Sequence, residues 1–311
     1  MAAPANLDLA KLVTEARNPA TIHLDELPTL EMLELMNNED AKVPAAVRAE
    51  IAFIAKAVDE IASRFQRGGR LFYIGAGTSG RLGVLDASEC PPTFSVPAEL
   101  VQGLIAGGDS ALRLSSEHSE DSSEEGAHDL GHAGFAKEQR PDVLVGIAAS
   151  GRTPYVLGAM HSAKMMGCLT IGLSCVPHSE VARGADIAIT PVVGPEVVTG
   201  STRLKAGTAT KLVLNMLSTG VMVRTGATYG NLMVNVRPTN AKLVDRAQRI
   251  IAEAAGVSHE KAAELLTESG SDVKTAIVMG RLNLPRREAE AALGSAHGVL
   301  AHALHAEKFN K

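Results

Sequence analysis

The sequence is poor in aromatic residues, with six Phe, three Tyr and no Trp among 311 residues. Base-stacking nucleic-acid modules need aromatic platforms, so that class is disfavoured. The core must instead be built from Ala, Val, Ile, Leu and Met. No excess of positive charge is present either: 30 Lys and Arg stand against 35 Asp and Glu, a net charge of −5 without any basic tract. DNA, RNA and anionic membrane are therefore not expected as partners. Long apolar runs are missing too. The longest stretch free of Asp, Glu, Lys and Arg, Ala291–Ala306, contains His297, His302 and His305 and is shorter than the roughly 20 apolar residues of a spanning helix. The opening MAAPANLDLAKLVTEARN lacks a basic start followed by an apolar core, so no secretory signal is read there. Cys90, Cys168 and Cys175 are odd in number and lack CxxC spacing, which suggests reduced thiols and a cytoplasmic location. There is no HExxH, clustered Asp set or P-loop, and the three C-terminal histidines do not share one helix face, so a metal is not expected.

What is present is globular in balance, with 45% hydrophobic and 21% charged residues. At about 100–200 residues per domain, this length suggests one large or two modest domains. Residues 1–42 read as a polar lead-in containing short helices. Pro44 opens a helical pattern through Val47, Ile51, Ile54, Val58, Ile61 and Phe65, ended by Gly68-Gly69. Short apolar runs at 70–74, 101–106, 142–148, 169–173 and 187–189 read as strands, and they alternate with helical segments after 75–80, 122, 154 and 205. That alternation predicts βαβ units, an α/β fold and a mainly parallel sheet. After Pro238 the chain turns Ala-rich and helical, broken at 256–258, 270–272 and 284–285, with caps expected at Ser258, Ser271 or Asp272, and Pro285. The expected division is thus 1–42, 43–240 and a small helical module at 241–311.

Gly75-Ala-Gly-Thr-Ser-Gly80 matches GxGxxG between a strand and a helix. Three readings stay open for it alone: a structural turn, a dinucleotide site or a phosphate site. No acidic residue ends the following strand, where a ribose contact belongs. The Thr78-Ser79 hydroxyls, with Gly77, suit a single phosphate at a helix N-terminus. Ser150-Gly-Arg-Thr-Pro154 is a second strand-to-helix loop of this kind, with Thr153 expected as N-cap and Pro154 at the first helical position. Two such loops in one sheet favour a phosphorylated ligand. A third cluster, Thr199–Thr208, adds Ser201, Thr202 and the cations Arg203 and Lys205.

These three clusters resemble the SIS family of sugar-phosphate isomerase-like domains. The string from Ile74 to Thr93, which includes Asp86-Ala-Ser-Glu-Cys-Pro-Pro92, is similar to the signature of the N-acetylmuramic acid 6-phosphate etherase family. So are Gly103–Gly108, Gly200–Thr208, Tyr229–Asn235 and the Leu12-Val-Thr-Glu15…Asn18 opening. The resemblance spans nearly the whole chain. It implies a three-layer SIS-type sandwich, a homodimer with sites near its interface, and a C-terminal module like a ubiquitin-associated bundle. It further implies a carbon–oxygen lyase of the hydro-lyase type that needs neither metal nor nucleotide. Such an enzyme removes D-lactate from N-acetylmuramic acid 6-phosphate during recycling of peptidoglycan sugars.

By the same resemblance, Glu89 is the acid that protonates departing lactate and Glu120 is the base at the sugar C2. Read without it, Glu120 is one of five acidic residues between 117 and 125, a pattern that also decorates helix N-termini. Glu125 fits a capping box with Ser122. Cys90 precedes Pro91, so a helix is expected to stop near Glu89. The ligand is anionic and the protein acidic overall, so Arg81, Arg152, Arg203 and Lys205 are candidate local cations, and Ser150 and Gly151 join Thr153 as candidate ligand residues. A sugar-phosphate sensor is the competing class. Its transcriptional form would carry a basic helix-turn-helix, whereas this N-terminal segment is acidic. A sugar-phosphate isomerase is the nearer rival, and the Glu89 and Glu120 strings favour the etherase.

Overall fold

The structure, a computed structural model, describes residues 14–114 and 118–305. The chain divides into two compact units: Met1–Ser88 with Glu99–Ser218, and Glu89–Ala98 with Thr219–Lys311.

In the first unit, short 3-10 turns at Pro19–Thr21 and Leu24–Glu26 precede α1 (Thr29–Asp40), α2 (Val43–Ala49) and α3 (Ile51–Gln66). The single helix expected from Pro44 to Phe65 is thus broken at Glu50, whose φ of −96° and ψ of 2° are not helical. At this break the Glu50 carboxylate accepts the Thr190 N–H at 2.8 Å, a long-range tie from the α2–α3 junction to the end of β5. Then follow β1 (Leu71–Gly75), α4 (Gly77–Phe94), β2 (Val101–Ile105), α5 (Ser123–His132), β3 (Val143–Ile147), α6 (Pro154–Met165), β4 (Leu169–Leu173), α7 (Glu180–Gly184), β5 (Ile187–Ile189) and α8 (Lys205–Arg224).

The five strands pair in the order β2-β1-β3-β4-β5, all parallel. β1 and β3 are buried at every position, as strands covered on both faces must be. At their N-terminal ends, Arg70 reaches the fully buried Asp142 carboxylate at 2.7 Å. One face packs Phe72, Ile74 and Leu144 against Leu130 of α5 and Val156 and Met160 of α6. The other carries α4, which approaches closely because glycines face it: a Cβ on Gly83 would lie 3.0 Å from that of Tyr73, and one on Gly103 only 2.6 Å from Val84 Cα. The result is the expected three-layer α/β sandwich.

The second unit adds an antiparallel hairpin, β6 (Thr228–Tyr229) with β7 (Leu232–Met233), then α9 (Ala241–Ala255), α10 (His259–Glu268), α11 (Val273–Leu282), α12 (Arg286–Ser295) and α13 (Leu300–Leu304). Asn240, Ser258 and Asp272 cap α9, α10 and α11 through their side chains, and Pro285 precedes α12. Its core joins Val234, Ile251, Leu266, Ile277, Leu293 and Leu300. The compositional change near Pro238 therefore falls inside this unit. Among the described residues, no helix is long and apolar enough to cross a membrane.

Candidate active site

The chain runs from β1 outward to β2, then returns to β3 on the opposite side of β1. In an open parallel sheet, the crevice where connections diverge at the strands' C-terminal ends is the usual ligand site. Two loops border it here, 75–80 after β1 and 148–153 after β3. They are the two Ser/Thr/Gly loops singled out in the sequence.

The first loop turns within van der Waals limits. A Cβ on Gly75 would fall 2.7 Å from Gly80 N, one on Gly80 would fall 2.6 Å from Gly75 O, and Gly77 has φ +51°. α4 opens at Gly77 after Ala76, whose side chain has no acceptor to cap it. Its first-turn N–H groups and the half-buried Thr78 and Ser79 are therefore available to an anion.

The second loop is fixed by Gly151. This residue has φ +70°, donates its N–H to Ala148 O at 2.8 Å and accepts from Val181 N at 2.9 Å. A Cβ there would sit 2.2 Å from Ser179 Oγ, which itself pairs with Ser174 Oγ at 2.9 Å. Ser150 is half-buried beside it. Thr153 is the N-cap of α6 and Pro154 its first residue, as expected, but the Thr153 hydroxyl makes no capping bond. Arg152 places Nε 3.5 Å from Glu180, while its Nη1 is buried with no hydrogen-bond partner. Buried donors are nearly always paired, so an orphaned guanidinium nitrogen marks a place where a ligand or water belongs.

The third cluster reaches the first at α8. A Cβ on Gly207 would lie 3.6 Å from both Thr78 Cγ2 and Thr202 O. Ser201 and Thr202 are half-buried there and Arg203 is exposed. The cations behave differently from the expectation. Lys205 is only 1% exposed and holds Glu39 Oε2 at 2.7 Å, so its ammonium is not presented to the crevice. Its backbone N–H and that of Ala206 donate to the two Glu196 oxygens at 3.0 Å each. The N-terminus of α8 thus already carries an internal carboxylate, unlike those of α4 and α6. Arg81 is likewise engaged: it donates to the carbonyls of Ala111 at 2.8 Å and Leu112 at 3.1 Å and braces the 108–112 turn. Cys175 is no nucleophile, since burial, with Glu196 nearby, pushes its thiol up to about 12.

Glu89 is exposed on α4. The helix does not stop there but continues through Pro91 and Pro92 to Phe94. Pro91 and Pro92 have no N–H to give to the carbonyls four residues back, yet the turn still closes with Ser95 N on Pro91 O at 2.9 Å. Glu120 is exposed in a 3-10 turn, His118–Asp121, packed against α6. Ser122 caps α5 by accepting the Glu125 N–H at 3.1 Å. The neighbouring Ser116 and Glu117 lie outside the described residues. The Gly103–Gly108 string helps to line a cavity of about 280 Å³ with Asp129, His132 and Tyr155. The Tyr155 hydroxyl donates to Asp129 there at 2.7 Å, and burial with that bond raises its pKa.

Glu39, Asp86, Ser179 and Glu196 were not found by sequence reasoning. Glu39 and Asp86 bond partners more than a hundred positions away, which no spacing pattern announces.

Residues 53–164 match the family described as glucokinase regulatory protein N-terminal SIS domain. Over 299 residues, 96% of this chain and 99% of the relative, the sequence is 54% identical to the N-acetylmuramic acid 6-phosphate etherase of Aeromonas hydrophila subsp. hydrophila. The chain belongs to the N-acetylmuramic acid 6-phosphate etherase family. An etherase from Rhizobium rhizogenes is 55% identical over 300 residues, 96% of this chain and 97% of that one. Among solved structures, a phosphoheptose isomerase from Francisella tularensis aligns with a TM-score of 0.48 at 16% identity, covering 63% of this chain and 100% of its own. Etherase family membership and the SIS match agree with the parallel sheet and its two hydroxyl-rich loops.

Proposed function

We propose that this protein cleaves the D-lactyl ether of N-acetylmuramic acid 6-phosphate with water, giving N-acetylglucosamine 6-phosphate and D-lactate. The observation that carries this reading is the pair of loops at the β1/β3 divergence, in a chain 54% identical to a named etherase. The phosphate is assigned to the N-termini of α4 and α6, held by Gly77, Thr78, Ser79, Ser150, Gly151 and Thr153. Ser201 and Thr202 complete the rim. The unpaired Nη1 of Arg152 is the cation best placed for an anionic group of the ligand. Arg81 and Lys205 act one step back, by bracing the 108–112 turn and the start of α8.

The chemistry assigned to the two glutamates follows from the substrate. In the open-chain sugar, the C2 proton is acidic because it is alpha to an aldehyde. Glu120 takes this proton, Glu89 protonates the lactyl oxygen, and the C3–O bond breaks to release lactate. Water then adds at C3 of the unsaturated aldehyde and a proton returns to C2, so the sum is hydrolysis by elimination and rehydration. A positioned acid or base typically contributes about 10²–10⁴-fold.

Glu89 stands twelve positions after Gly77 along α4, a rise of about 18 Å. That exceeds the reach of one hexose from its own phosphate. The reading therefore includes a homodimer in which Glu89 of one copy serves the phosphate loops of the other. The direct test is incubation of the purified protein with N-acetylmuramic acid 6-phosphate and with the unphosphorylated sugar. D-Lactate from the first and almost none from the second is the expected result. No lactate from either, in a folded protein, would overturn it.

A further inference from the structure

Asp86 carries a carboxylate that the proposed chemistry does not use, and it is only 6% exposed. Its Oδ2 accepts from Tyr73 Oη of β1 at 2.9 Å, and its Oδ1 accepts from Asn215 Nδ2 at 2.6 Å and Ser218 Oγ at 3.1 Å, both on α8. One side chain of α4 is thereby tied to a strand and to a second helix. Burial raises the Asp86 pKa, and the three donors pull in the opposite direction. An apolar residue of similar volume would be a cheaper way to fill the space. What the carboxylate adds is direction, because three bonds from two elements fix both the rotation of α4 about its axis and its axial height.

That rotation matters most one turn further on. Asp86, Ala87 and Cys90 form the buried face of α4, while Leu85, Ser88 and Glu89 are exposed. Glu89 follows Asp86 by three residues, so the two occupy adjacent positions on neighbouring turns. Gly83, which permits the close approach of α4 to Tyr73, stands one turn before Asp86.

We propose that Asp86, held by Tyr73, Asn215 and Ser218, is a positioning residue for the acid step, setting the orientation in which Glu89 meets the departing lactyl oxygen. This rests on the reading of Glu89 as the acid. Asp86 touches no reacting atom in this scheme.

The test separates the acid step from the base step. In heavy water, deuterium entering C2 of unreacted substrate reports proton abstraction, and D-lactate reports cleavage. Asp86→Asn keeps the volume but turns an acceptor into a donor facing the Asn215 amide or its neighbours. Asn215→Ala removes one donor and leaves Asp86 in place, which guards against misfolding of the first variant. Both are expected to lower lactate release about ten- to hundred-fold, the scale of a misplacement near 1 Å. C2 exchange and KM should stay within about two-fold of wild type, and melting should remain cooperative. A proportional fall in exchange and release in both variants would reduce Asp86 to a structural role and overturn the proposal. Unchanged release in both would overturn it equally. Glu89→Gln serves as the control: normal lactate release in that variant would overturn the reading of Glu89, whatever Asp86 does.

Discussion

The Lys205 ammonium lies 2.7 Å from Glu39 Oε2, with Lys205 1% exposed and Glu39 5% exposed. Lys42 holds the other Glu39 oxygen. The pair joins the end of α1 to the start of α8, next to the third hydroxyl cluster. Burial alone would raise the Glu39 pKa, but the hydrogen bonds from Lys205, Lys42 and Asn18 outweigh it and bring the value down to about 2. A carboxylate whose pKa is lowered in the folded state stabilises that state above its ordinary value of 4.5. The contribution, of order 3 kcal/mol, fades as pH falls from 4.5 towards 2.

The first prediction follows. Urea unfolding of the wild type should lose stability between pH 5 and pH 3 more steeply than unfolding of Glu39→Gln does. At pH 7, Glu39→Gln should cost about 3–5 kcal/mol, because it strands a buried ammonium. The double variant Glu39→Leu with Lys205→Met should recover most of that loss. Equal slopes for the two proteins in acid would show that Glu39 ionisation does not stabilise the fold.

The phosphate assignment gives the second prediction. Ser79 and Ser150 each offer a hydroxyl to a charged group, a bond worth about 1.5–3 kcal/mol. Ser79→Ala and Ser150→Ala should each raise KM about ten- to a hundred-fold with a smaller change in kcat. Inorganic phosphate should inhibit the wild type competitively and should inhibit both variants less. KM values unchanged by both substitutions would move the phosphate elsewhere.

Much of the scaffold was legible because it depends on local or periodic signals. β1 and β3 are short, fully buried runs, α8 begins at Lys205 as read, and Ser122, Ser258 and Asp272 cap the helices that follow them. Three of the departures share a physical setting, partners far away in the chain. Glu50, at the helix break, is bonded to Thr190, and Lys205 turns inward onto Glu39, 166 positions away. Arg81 looked like a ligand cation because it follows the Gly75–Gly80 loop, but its guanidinium serves carbonyls of the 108–112 turn. The loops themselves were readable, since glycine and hydroxyl chemistry at a strand-to-helix junction is local. Which nearby cations the fold itself engages was not.

A third prediction concerns how Glu120 is placed. α5 follows the Glu120 turn directly, and its first residue, Ser123, meets α6 at Gly158. A Cβ on Gly158 would fall 1.9 Å from Ser123 O. The contact is backbone on backbone, so Gly158→Ala must push the start of α5 away. At least ten-fold lower kcat is expected in a protein that still folds, with a melting temperature reduced by several degrees. Gly131 meets nothing within 4 Å, and Gly131→Ala should therefore leave kcat unchanged. Equal activity in both variants would detach α5 placement from catalysis.

The fourth prediction tests the sharing of sites between copies. At substrate concentrations near the wild-type KM, Glu89→Gln and Ser79→Ala are each expected to be weakly active alone. If Glu89 serves the partner's loops, co-refolding equal amounts should create mixed dimers with one intact site each. About a quarter of wild-type activity should then return, since half the dimers are mixed and each has one good site of two. Mixing without co-refolding should give less. No recovery in demonstrably mixed dimers would return Glu89 to its own chain's site.

The last prediction addresses the order of bond breaking. Elimination cleaves the bond between C3 and the lactyl oxygen, so lactate leaves with the oxygen it brought. In water enriched in heavy oxygen, the label should appear in the C3 hydroxyl of the amino-sugar product and not in the lactate hydroxyl. In heavy water, C2 of the product should carry deuterium. Glu120→Gln cannot accept the C2 proton, so deuterium exchange and lactate release should fall together, by about 10²–10⁴-fold. Glu89→Gln cannot donate to the leaving oxygen, so release should collapse while slow exchange at C2 persists. The two glutamates are thus distinguished by which isotope signal survives. Heavy oxygen in lactate would place the attack on the lactyl carbon. A base at C2 and an acid at the lactyl oxygen would then have no step to serve, and the roles of both residues would have to be withdrawn.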